Sequence, residues 1–367
     1  MRVRAIELVT PHLRMSRALR TAHRADPPVK RHRLLVHVVA DEGDGWAECP
    51  VEAAPTYDAD YSEAAELVLR RHLVPRAWAG PIGDADALEG HLASVRGHHP
   101  ARAALLLAVL DAQLRAADRS LADWLGATAS SVPAGAALSL HDDPDDLVAE
   151  ATAALGAGAA RLRVKVGPGR AALHLRALRD QLGDDVPLQA DANGSFEEDD
   201  PELAALDELA LTCIEQPLAP DDLLGHARLA GRIETPIGLD EPLTSVGAVE
   251  AALALAACEV VCLKPSRVGG WAAARRIHDL CVDRGVPLFV GGMQETAVGR
   301  AANLALAGLP GMTLPPDADP RPRFEQDLLD LPPAAEGRVP LPTGPGTGAT
   351  PEPSRLVDAE VVRMEAP

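Results

Sequence analysis

Five polar side chains stand where apolar, strand-forming runs end: Lys165 in RLRVKV, Asp191 in LQADAN, Glu215 in CIEQPL, Asp240 in IGLDEP and Lys264 in VVCLKPSRVGG. Ammonium and carboxylate groups lose hydration near a core, so their place at the ends of such runs asks for a chemical reason. Three acids in succession repel one another unless a cation lies between them. Oxygen donors alone suit Mg²⁺, or Mn²⁺ in its place, better than Zn²⁺. The two lysines flank the acids in chain order. A carboxylate whose charge is drawn off by a metal, with an amine on either side, is what abstraction of an α-proton requires. Desolvation and a nearby cation also lower a lysine's pKa, which lets it act as a base. Taken singly, each acid reads as a helix cap and each lysine as the partner of a neighbouring acid. Only their common interval selects the catalytic reading.

That interval comes from the elements that carry them. Ser139, Lys165, Asp191, Glu215, Asp240, Lys264 and Gly291 end successive apolar runs about 25 residues apart, one strand and one helix per step. In a βα barrel the carboxyl ends of all strands open onto one face, so such residues converge. No G-x-G-x-x-G follows the first run, which weakens a dinucleotide-binding reading. Before the repeat, RVRAIELV and RLLVHVVA alternate as strands, the second turning through DEGDG into WAECPVE, and ARAALLLAVLDAQLRAA has a wide apolar helical face. The expected fold is α/β: a TIM-like (β/α)7β barrel with an N-terminal α+β capping domain. Residues 1–125 form the cap, 126–316 the barrel with its metal and catalytic residues, and 317–367 a proline-rich covering segment.

Composition sets the surroundings. A chain of 367 residues, 47% hydrophobic, fills a large core. The net charge of -19 argues against nucleic acid, whose binding needs clustered cations. Five cysteines without a C-x-x-C pair suggest neither a disulfide framework nor zinc. There is no leader-like start and no uncharged apolar stretch of spanning length. The expectation is a cytoplasmic protein that meets a small carboxylate substrate rather than a membrane, with a homo-oligomer left open.

The ordered series RVK, DAN, EQP, DEP, KPSRVGG and GGMQETAVGR, after a head containing GWAECPVEAAPTYDADY, resembles the muconate-cycloisomerase subgroup of the enolase superfamily. Within it, the chain is similar to the branch of o-succinylbenzoate synthases and N-succinylamino acid racemases. The resemblance implies that Asp191, Glu215 and Asp240 bind Mg²⁺ and that Lys165 and Lys264 are the acid/base pair. It implies that Asn193 and Glu241 steady the ligands, that Arg267 belongs to the branch's KPxRVGG, and that Gly292 and Met293 stand beside the substrate. Cap-domain loops carrying Arg17, Arg20, Arg24 and Tyr57 would close over the mouth and recognise a succinyl carboxylate. A solvated basic loop is the plainer account of those arginines. One departure is Arg163, where the family has lysine: it keeps the charge but cannot exchange a proton. The implied activity is syn dehydration to o-succinylbenzoate in menaquinone biosynthesis, with racemisation of an N-acylamino acid by the same lysines as the alternative. A barrel that only binds metal is a third reading, disfavoured by the two lysines.

Overall fold

The computed structural model describes residues 1–24, 30–80, 82 and 84–367. Ala25 and Asp26, at the end of the basic head segment, lie outside the described residues.

In the cap, β1 (Val3–Thr10) pairs antiparallel with β2 (Leu34–Ala40), which turns into β3 (Gly45–Cys49). One face of this sheet is covered by α1 (His99–Ala116), a helix buried over most of its circumference. The contact is so close at Gly45 that a Cβ would stand 2.0 Å from the Ala108 carbonyl oxygen, so only glycine fits. The tail does more than cover the barrel: Glu360–Glu365 pairs antiparallel with β1 and forms the outer edge of the cap sheet. Proline-rich sequence before it hides this strand, whose alternation is half exposed and therefore weak.

The barrel follows in repeated units: β4 (Gly135–Leu138), α2 (Pro144–Gly156), β5 (Arg161–Lys165), α3 (Ala171–Leu182), β6 (Leu188–Asp191), α4 (Pro201–Asp207) and β7 (Cys213–Glu215). It continues through α5 (Leu223–Ala230), β8 (Ile237–Leu239), α6 (Val246–Ala254), β9 (Val260–Leu263), α7 (Trp271–Arg284), β10 (Leu288–Val290) and α8 (Ala297–Ala307). Helix starts are written in the sequence: Asp143, Asp200, Asp222, Ser245 and Thr296 each accept an N-terminal backbone N–H. The seven strands pair in parallel in chain order. The eighth position is filled by the segment around Leu314 to Asp317, whose N–H groups bond to Leu288 O at 3.3 Å and Val290 O at 2.9 Å. On its other side Pro316 O presses against Gly135, where a Cβ would lie only 2.3 Å away. Pro315 and Pro316 have no N–H, so this segment closes the ring without a regular ladder.

Strand alternation decides what faces inward. In β5, Leu162 and Val164 join the main core, while Arg161, Arg163 and Lys165 point into the ring. Cys213, Val260, Cys262 and Phe289 form a separate apolar cluster that floors the interior. All five cysteines are free and buried. Among the described residues no helix is long and apolar enough to cross a membrane.

Candidate active site

Register brings the acids to one level. Lys165 is the Cα partner of Asp191, and Asp191 of Glu215; Glu215 pairs with Gly238, two residues before Asp240 on the same face. All three carboxylates are fully buried. They converge on one cationic nitrogen: Nη2 of Arg163 bonds to Glu215 Oε1 and lies 2.6 Å from Asp191 Oδ2 and 3.7 Å from Asp240 Oδ2. The same guanidinium donates from Nε to Glu215 Oε2 at 2.7 Å and from Nη1 to Asp317 Oδ2 at 2.6 Å. Arg163 therefore stands at the centre of the acid cluster.

The lysines flank the acids. From β5, Lys165 donates to Asp191 Oδ2 at 2.5 Å and to Asn193 Oδ1 at 2.9 Å. Just beyond β9, Lys264 donates to Asp240 Oδ2 at 2.6 Å and to Tyr57 Oη at 3.0 Å. Burial opposes the Lys264 ammonium, but the adjacent Asp240 carboxylate outweighs it and holds the pKa well above the ordinary lysine value. Asn193 has a left-handed backbone, φ 47, which asparagine tolerates; its amide donates to Glu241 at 3.0 Å and so ties Lys165 to the segment that follows β8. Arg267 bonds to Asp240 Oδ1 and donates to Tyr57 Oη at 3.0 Å.

Burial, less the relief from Arg163 and reinforced by Asp191 and Asp240, pushes the Glu215 carboxyl up to about 8. A cation bound beside Glu215 would favour its ionised form. Glu215, Asp240 and Cys262 offer ligand atoms within 4.8 Å of one another. Burial raises the Cys262 thiol well above its usual range, so it stays protonated and the usable donors are carboxylate oxygens. Hard oxygens around one point fit a small divalent cation.

These groups border a cavity of about 370 Å³. Gly292 and Met293 are on its wall, as are Lys165, Lys264, Asn193 and Glu241. So are Tyr57 and Arg24, the latter bonded to Glu52. Arg20 is not: its guanidinium pairs with Asp142 at 3.0 Å on the exposed rim, and its N–H donates to Ser139 Oγ. Arg17 reaches the wall only through Asp319, at 3.0 Å. Sequence reasoning passed over Arg161, Gln189 and Asp317, which form a polar layer beneath the acids: Arg161 bonds to Gln189 and to Asp317, and Gln189 bonds to Glu215. Arg161 and Gln189 lie two residues before Arg163 and Asp191, so a strict period of two would have found them. Nothing local marks Asp317.

The chain is similar to known proteins over most of its length. A family model described as enolase C-terminal domain-like matches residues 146–355. An N-succinylamino acid racemase of Amycolatopsis sp is 44% identical over 336 residues, covering 91% of each chain. An o-succinylbenzoate synthase of Geobacillus stearothermophilus is 37% identical over 325 residues, covering 87% of this chain and 86% of the relative. A solved enolase-superfamily member from Listeria innocua superposes with a TM-score of 0.94 at 28% identity, covering 100% of both chains.

Proposed function

Because the chain belongs to the enolase superfamily, we propose that it is an o-succinylbenzoate synthase-like enzyme that removes an α-proton from a carboxylate substrate and expels water to give o-succinylbenzoate. The observation that carries this reading is the pair of lysines, Lys165 and Lys264, flanking three buried carboxylates at one cavity. Asp191, Glu215 and Asp240 would hold Mg²⁺, with Mn²⁺ as a substitute. Bound there, the ion supplies positive charge that acidifies the proton next to the substrate carboxylate.

This chain's own groups do the rest. Lys165, as the free amine, takes the α-proton; the electron pair left on carbon expels the β-hydroxyl, which leaves as water with the proton returned by Lys165 on the same face. Lys264 stays an ammonium, matching its high pKa, and its charge supports the developing oxyanion. Asn193 keeps Lys165 aimed, and Tyr57 covers Lys264 from the cap. A soluble cytoplasmic setting and a place in menaquinone biosynthesis belong to this reading.

A second reading has its own support: the Amycolatopsis relative is a racemase, and at 44% it is more similar than the synthase relative at 37%. Racemisation of an N-succinylamino acid would use Lys165 on one face of the α-carbon and Lys264 on the other. A barrel that only bound metal would have no use for two amines. Assay of the Mg²⁺-loaded protein with the dehydration substrate and a panel of N-succinylamino acids tests both. Turnover of neither would overturn the proposal.

A further inference from the structure

The acids occupy the third to fifth positions of the ring, on β6, β7 and at the end of β8. Two arginines of the same cavity wall come from the other side: Arg300 from the first turn of α8, after the seventh strand, and Arg323 from the segment after the eighth position. Arg323 is fixed in place by the cap, since its carbonyl accepts Ser16 N–H at 2.9 Å beside the Met15–Phe324 bridge. Among the described residues neither guanidinium makes a hydrogen bond or ion pair, and Nε of Arg300 is buried without a partner.

The neighbouring acids are already engaged. Asp319 takes Arg17 at 3.0 Å and Arg321 at 2.8 Å, and Glu150 takes the same two arginines at 3.5 Å. Asp317 takes Arg161 and Arg163, and Glu295 accepts the Asn303 amide at 2.9 Å. Burial, partly offset by Asp319 and reinforced by Arg17 and Arg300, brings Arg323 down to about 10. Two cationic forks with unused donors thus face a cavity whose opposite wall carries the acids and lysines. Planar guanidinium matches carboxylate geometry.

We propose that Arg300 and Arg323 form an anion subsite that takes the remote carboxylate of a dicarboxylate substrate while its other carboxylate lies at the acid cluster. The second half of that statement rests on the function proposed above; the first does not. This subsite would make Arg300 and Arg323, rather than Arg20, the groups that distinguish a succinyl chain from a neutral acyl chain.

The test is calorimetric titration of the full, Mg²⁺-loaded protein with N-succinyl-L-alanine and N-acetyl-L-alanine, which share the α-carboxylate and differ in the remote one. Wild type should prefer the succinyl ligand. Arg323→Gln and Arg300→Gln should each weaken it by about tenfold or more and leave the acetyl ligand within about twofold. Arg323→Lys, which keeps the charge, should recover part of the loss and serves if a glutamine variant does not fold. Parallel loss for both ligands, or no loss, overturns the subsite. Binding needs no turnover, so the two proposals separate. A wild type with the arginine-dependent preference but no dehydratase or racemase activity overturns the reaction and leaves the subsite standing. Equal racemisation of both ligands by wild type and variants overturns the subsite alone.

Discussion

The phenol of Tyr57, carried by the cap, accepts a hydrogen bond from the ammonium of Lys264, carried by the barrel, at 3.0 Å, and donates to Asp240 at 3.0 Å. Burial above all keeps this phenol neutral, with its pKa well above the ordinary value. The cap therefore touches a proposed catalytic group directly.

From the sequence, Tyr57 is expected to tune substrate choice; its contacts extend that to chemistry. Tyr57→Phe should lower kcat by about tenfold, the value of one hydrogen bond to a charged group, with the fold intact by circular dichroism. Arg20→Ala should change kcat/KM by less than about twofold, because an exposed ion pair such as Arg20–Asp142 contributes little. A kcat unchanged in Tyr57→Phe would remove the coupling.

The lysines can be separated by isotope exchange. In D₂O, wild type should exchange the α-proton of either enantiomer of an accepted N-succinylamino acid. Lys264→Ala should stop racemisation yet still exchange one enantiomer through Lys165, and Lys165→Ala should do the reverse. Equal loss from both enantiomers in each variant would argue against lysines on two faces.

The acid cluster predicts metal dependence. Chelation should abolish turnover and Mg²⁺ or Mn²⁺ should restore it. Glu215→Gln, nearly isosteric, should fold but lose the Mg²⁺-induced rise in Tm that wild type shows. A full Tm response in the variant would exclude Glu215 as a ligand.

A pH dependence arises away from the cluster. Glu48 of β3 accepts from Thr296 N and Oγ1 at 2.8 and 2.7 Å, at the N-terminus of α8, and lies 3.7 Å from Arg33. Burial, only partly relieved by Arg33, pushes its carboxyl up to about 7 from 4.5. For an acid whose folded pKa is raised, the folded state binds the extra proton. Stability is therefore higher below pH 4.5 and is lost as pH rises through 7, by roughly 3 kcal/mol at most from this group. Urea unfolding of wild type and Glu48→Gln at pH 5 and pH 8 measures it. The variant should lack this share of the pH slope, and identical slopes would refute the assignment.

The candidate set is legible because it obeys two periods. Side chains alternate along a strand, and strand ends recur with each βα unit, so the sequence alone places Lys165, Asp191, Glu215, Asp240 and Lys264 together. The polar layer of Arg161 and Gln189 obeys the same alternation, but its residues sit inside apolar runs, where charge is unexpected. The tail strand Glu360–Glu365 is not legible locally, because its partner, β1, lies at the other end of the chain.

The sequence by itself determined which residues end the strands, and hence the α/β barrel and the oxygen-rich, lysine-flanked chemistry of its mouth. Local period and residue type are enough for that. Only the tertiary structure decided that Arg163 lies among the acids, that Tyr57 meets Lys264, that Arg20 turns to Asp142, and that Arg300 and Arg323 face the cavity. Each of these depends on where a long, flexible side chain finds its opposite charge or fails to, and that is set by segments distant in sequence packing against one another.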